Sequence, residues 1–159
     1  MKISDLVQFH EERFFEGAVQ LRWVQERETQ AEQAAQAFVF HGLRYHGAND
    51  AVKDGIETSY RLKDSASLVR DLLKSIHRGW RGEEQNPYSL VVAGYGSGKS
   101  HLALTCAILL GQPHHPVAQQ IIAHISQADS AIGQDVQQLI AGFAKPALVL
   151  ALDGMAGFH

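Results

Sequence analysis

The sequence predicts an α/β fold, a partial three-layer sandwich on a parallel sheet, preceded by a mostly helical N-terminal region. Two observations carry that expectation. From Tyr88 to Asp153 the patterns run buried strand, Gly-rich turn, helix, two further helices and a second apolar strand, the order expected of helical crossovers on a sheet. Charge is also divided unevenly. Residues 1–90 hold 12 of the 14 Lys and Arg and 14 of the 17 Asp and Glu, and only Lys99, Asp129, Asp135, Lys145 and Asp153 follow Leu90. A stretch that poor in charge is mostly buried, or rests against something outside this chain. The polar break from Gly82 to Pro87 divides residues 1–86, a mixed and mainly helical region, from a second, incomplete domain over residues 87–159.

The elements follow in chain order. Ser4 can cap a short helix carrying Leu6, Val7 and Phe9. In Gly17–Val24, Val19, Leu21 and Trp23 alternate with Gln20 and Arg22, which leans towards a strand although a helix also accommodates them. Arg27–Ala37, rich in Glu, Gln and Ala, predicts a helix. Phe38–Phe40 reads as a short strand or the buried end of that helix, and residues 41–55 as loop. Asp64 or Ser65 caps a helix with Leu68, Val69, Leu72, Leu73 and Ile76 on one face. Tyr88–Ala93 is a compact apolar strand of the fully buried kind, and a helix runs from Lys99 to about Leu110, ended by Gly111-Gln112-Pro113. Helical stretches over about Val117–Gln127 and Ile132–Ala144 precede a last strand, Ala147–Leu152.

The chemistry concentrates in Ala93-Gly94-Tyr95-Gly96-Ser97-Gly98-Lys99-Ser100. This is the phosphate-loop (Walker A) pattern with Ala93 in the first Gly position, and it makes the predicted sandwich that of a P-loop NTPase. Gly94, Gly96 and Gly98 free the backbone for conformations that a Cβ blocks. The backbone N–H groups can then form an anion nest at the start of a helix, where the helix dipole also favours phosphate. Lys99 brings an ammonium to the β- and γ-phosphates of ATP, and the Ser100 hydroxyl can coordinate the Mg²⁺ that bridges them. The cofactor-binding residues are therefore Ala93, Gly94, Tyr95, Gly96, Ser97, Gly98, Lys99, Ser100 and His101. The bland alternative is a Gly-rich strand-to-helix turn with a chance lysine.

His101-Leu102 directly after the Lys-Ser pair resembles the replication initiators and helicase loaders of the AAA+ class. The form Gly94-Tyr95-Gly96-Ser97-Gly98-Lys99-Ser100-His101 is similar to the large ATPases of bacterial anti-phage systems, of the BREX and phosphorothioation-linked type. The segments Phe14–Leu21 and Phe38–Gly42 resemble the second group. The resemblance implies an ATPase domain of a larger cytoplasmic protein, doing ATP-driven work on DNA or assembling a defence complex. Other subunits of that complex, DNA and further copies of the chain are the partners it implies.

The pattern also departs from the family. Ala147–Leu152 ending in Asp153 is either the Walker B strand, with Asp153 a catalytic and Mg²⁺-binding carboxylate, or an earlier strand of the sheet. Gly154 in place of the catalytic Glu favours the latter. No Arg follows Ser100. With two strands from Tyr88 onward, the chain reads as part of a longer protein, and ATP turnover is expected of that protein rather than of these 159 residues. A nucleotide-dependent scaffold without turnover is a competing reading. A small-molecule kinase is a third, disfavoured by the long charged region before the loop.

Other candidates have plainer readings. His114-His115 lie in a Pro-flanked turn without ligand spacing, and His41 and His46 flank a loop. Cys106 falls at an apolar helix position, suited to packing. Arg70, Lys74 and Arg78, with Arg81 beyond, form a basic stripe that can touch DNA phosphates or can be an ordinary solvated face. No apolar run reaches the ~18 residues of a membrane helix, and the N-terminus lacks a signal-peptide core.

Overall fold

Alanine at i, i+3 and i+4 gives a helix a face with almost no side chain, onto which another helix can close. Ala31, Ala34 and Ala35 do this, all fully buried. The computed structural model describes residues 18–42, 64–83, 91 and 96–151. Among these there are six α-helices, α1 Trp23–Glu26, α2 Glu28–Ala37, α3 Ser65–Trp80, α4 Lys99–Gly111, α5 Pro116–Ala128 and α6 Ser130–Ala141.

The apolar α4 is central, with Leu104, Thr105, Cys106, Ile108 and Leu109 all buried, as expected of a helix without a strongly polar face. It packs on α1, α2 and α5. α5 and α6 form a tight pair, and α6 in turn packs on α3. One core joins them all: Ala34 of α2, Val69 and Leu73 of α3, Leu104 of α4, Ile121 and Ile125 of α5 and Val136 of α6 are buried together. Elements from before and after residue 87 thus share one apolar interior.

The helix boundaries have local causes. The buried Asp64 carboxylate accepts from Ser67 N at 2.8 Å and caps α3. Pro116 opens α5 at a position where its missing N–H costs nothing. Asp129 alone separates α5 from α6, its Oδ1 accepting from Ala131 N and Ile132 N, both at 3.1 Å. Gly133 permits their close packing, since a Cβ there would lie 2.6 Å from Ser126 Cα. His77 Nε2–H donates to Leu139 O at 2.8 Å and ties α3 to α6.

Three expectations are corrected. The alternation around Val19, Leu21 and Trp23 does not make a strand. Trp23 N bonds Gln20 O at 3.1 Å and Val24 N bonds Leu21 O at 3.2 Å, so local turns satisfy the backbone and lead into the single turn α1. Phe38–Phe40 is extended but in no ladder, and it continues to the start of α3, where Ala66 N donates to His41 O at 3.1 Å. The parallel sheet of the P-loop sandwich is not there: the described residues hold helices and no strand. Of Tyr88–Ala93 only Val91 is described, exposed and outside any ladder. Ala147–Ala151 is irregular, with Leu148 86% and Leu150 65% exposed. Its contacts are with the end of α4, through Ala147 N to Leu110 O at 2.9 Å and the Val149 side chain beside Gly111. An apolar run becomes a strand only when another strand takes up its N–H and C=O groups, and α4 offers one carbonyl.

Candidate functional site

The loop is built where two left-handed glycines meet the start of α4. Gly96 has φ +75° and Gly98 φ +81°, a region that side chains with a Cβ rarely enter. Gly98 is the N-cap residue of α4 and provides no side-chain cap, and the first turn of α4 carries no acidic residue. The first N–H groups of a helix have no carbonyl within that helix and concentrate its positive pole. Leu102 N donates to Gly98 O at 2.8 Å, which closes the first helical turn.

Lys99 and Ser100 are both exposed. The Lys99 ammonium folds back along the loop, with Nζ donating to Ser97 Oγ at 3.4 Å. The Lys99 ammonium and the Ser97 hydroxyl therefore meet at the turn that leads into the N-terminus of α4. Ala93, Gly94, Tyr95 and Asp153 lie outside the described residues, as does His46. The structure thus brings together Gly96, Ser97, Gly98, Lys99, Ser100 and His101. A phosphate-bridging Mg²⁺ needs few protein ligands, because phosphate and water supply most of its shell, and the exposed Ser100 hydroxyl in the first turn of α4 fits that requirement.

His101, assigned to the cofactor from sequence, faces the protein instead. Its Nε2–H donates to the Ala34 carbonyl of α2, and its ring meets Phe38 edge-to-face at 5.0 Å. Phe38 lies beneath the loop, where a Cβ on Gly98 would be 4.0 Å from Phe38 Cε2. The Phe38 and Phe40 rings pack at 4.8 Å. The sequence pattern missed Phe38 as a loop support because its partners are 60 residues further on. The His-Leu after the Lys-Ser pair was the available signal.

The remaining candidates resolve into structural roles. The Cys106 thiol is pushed up to about 12 by burial, which leaves it a neutral packing group. His115 accepts from Val117 N at 3.4 Å as the cap of α5, and its Nε2 lies 3.6 Å from Glu32. Arg70 pairs with Asp71 at 3.1 Å and Lys74 with Asp135 at 3.3 Å, so the basic stripe is partly neutralised. Among the described residues no helix is long and apolar enough to cross a membrane. Comparison with models of known protein families, with curated proteins and with solved structures finds no match.

Proposed function

We propose that the Gly96–Ser100 turn binds the phosphates of a nucleoside triphosphate, ATP with Mg²⁺. The observation that carries the reading is the pair of left-handed glycines leading into the uncapped start of α4, with Lys99 curled over the same turn. In this reading the backbone N–H groups of the turn hold phosphate oxygens and the Lys99 ammonium neutralises the β- and γ-phosphates. Ser100 supplies one oxygen to Mg²⁺, which when bound offsets charge on the triphosphate. The proposal concerns a loop and its helix and does not require a sheet. The resemblance of Gly94–His101 to defence-system ATPases supports the choice of ATP.

Binding is coupled to the rest of the molecule through His101. A phosphate that tightens the first turn of α4 acts on a residue joined to Ala34 of α2 and to Phe38. Nucleotide occupancy is thereby transmitted to α2, as a switch or scaffold requires.

The test is calorimetric titration of ATP and AMP, with Mg²⁺, into the wild-type chain and Lys99→Ala. The variant loses roughly 10- to 100-fold in ATP affinity, the size of a charge-assisted contact, and changes little towards AMP, which has no β- or γ-phosphate. Equal losses for both nucleotides, or no loss for either, would remove the loop from the reading.

A further inference from the structure

Where α3 ends against the turn after α6, two adjoining clefts open on the surface. One, of about 390 Å³, is lined by His77, Trp80, Arg81, Lys145 and Pro146. The other, of about 370 Å³, is lined by Lys74, Arg78, Arg81, Asp135 and Gln138. They share His77, Arg81 and Gly142 and so form one groove.

The groove combines an exposed indole with an excess of positive charge. Trp80 is 56% exposed and is the one aromatic among the large exposed apolar side chains described. It is nevertheless fixed: its ring makes a T-shaped contact with the buried Phe143 at 4.6 Å, and Phe143 is backed by His77 at 4.4 Å. Lys74, Arg78, Arg81 and Lys145 face the carboxylates Asp135 and Glu83. Lys74 is paired with Asp135 at 3.3 Å and Arg81 with Glu83 at 3.9 Å. Among the described residues no carboxylate pairs with Lys145, which lines the first cleft with Trp80, or with Arg78, which lines the adjoining one.

We infer that this groove binds single-stranded nucleic acid, with an unpaired base stacked on Trp80 and the neighbouring phosphates on Arg78 and Lys145. Every base has a π-face, so an immobilised indole recognises it without regard to sequence. The unpaired cations match the charge of a sugar–phosphate backbone. A duplex keeps its bases stacked inside and cannot present one to the cleft. This site shares no lining residue with the Gly96–Ser100 turn and does not rest on the nucleotide reading.

The test is binding of a labelled oligothymidylate to the full 159-residue chain, followed by anisotropy and by tryptophan fluorescence. Trp23 is buried, so quenching reports on Trp80. Binding quenches the wild-type emission. Trp80→Ala weakens binding roughly 5- to 150-fold, the range for loss of one base stack, and Trp80→Phe recovers part of it, which guards against a folding defect in the alanine variant. Arg78→Ala with Lys145→Ala lowers the slope of log affinity against log salt by about 0.7 per lost phosphate contact. Four results would overturn the inference: no binding, equal or tighter binding of a duplex of the same length, unchanged affinity in Trp80→Ala, or quenching by a proline-rich peptide but not by the oligonucleotide.

Discussion

At the residue scale the structure redistributes the work of the loop. Lys99 and Ser100 are exposed, whereas His101, adjacent in sequence, is turned to Ala34 of α2. Helix geometry explains the division: successive residues point about 100° apart, so three in a row cannot share a face. Truncating His101 to Ala leaves the Ala34 carbonyl without its donor in a fully buried stretch of α2. We expect a loss of roughly 1–3 kcal/mol, measured by urea unfolding. Cys106 offers a second residue-scale expectation. Burial raises its folded value from 9.0 to about 12, so the folded chain holds the thiol proton that the unfolded chain releases. This contribution is fully present below about pH 9 and declines as pH rises towards about 12, by ~1.4 kcal/mol per pH unit. The stability of wild type relative to Cys106→Ala therefore falls between about pH 9 and about pH 12, and a difference that stays constant would show that the thiol is not desolvated.

At the element scale, helices were legible and strands were not. α3, α5 and α6 announce themselves by apolar residues at helical spacing and by Asp64, Pro116 and Asp129 at their starts. These are local signals, complete within one segment. The run Ala147–Leu152 carries strand composition, but a strand is a relation between two segments, and composition reports only a tendency to be buried. In Ala147–Ala151 one residue in two stays in water, so the alternation is real and the pairing is not. The α5–α6 pair shows what does hold elements together. Gly133→Ala forces a methyl group into Ser126 and is expected to cost about 1–3 kcal/mol, as overpacking does. Asp129→Ala removes a carboxylate serving two N–H groups and should cost about 0.5–2 kcal/mol. Both are checked by chemical denaturation. A neutral Gly133→Ala would mean that the two helices cross less closely than described.

At the scale of the whole molecule, the sequence predicts that the charge-poor stretch after Leu90 is mostly buried or rests against something outside this chain, and among its described residues more are exposed than buried. Its helices bury one apolar face each in the common core, and α4 packs on α1, α2 and α5. The glycine pattern of the site was visible because it is contiguous, while its support by Phe38 and α2 was not, because it joins residues 60 or more apart. One expectation belongs to this scale. ATP turnover requires a group that orients the attacking water beside the phosphate cradle, and the described residues around the turn supply a cation, hydroxyls and backbone N–H groups. A phosphate-release assay on the 159-residue chain should therefore show no sustained hydrolysis. The central claim, that backbone and Lys99 at one turn hold a triphosphate, is tested most directly by amide NMR shifts on addition of ATP with Mg²⁺. The expected result is large shifts at Gly96, Ser97, Gly98, Lys99 and Ser100, smaller ones at Ala34 and Phe38 through His101, and loss of both sets in Lys99→Ala. Shifts confined to residues away from this turn, or shifts at the turn that persist unchanged in Lys99→Ala, would contradict it.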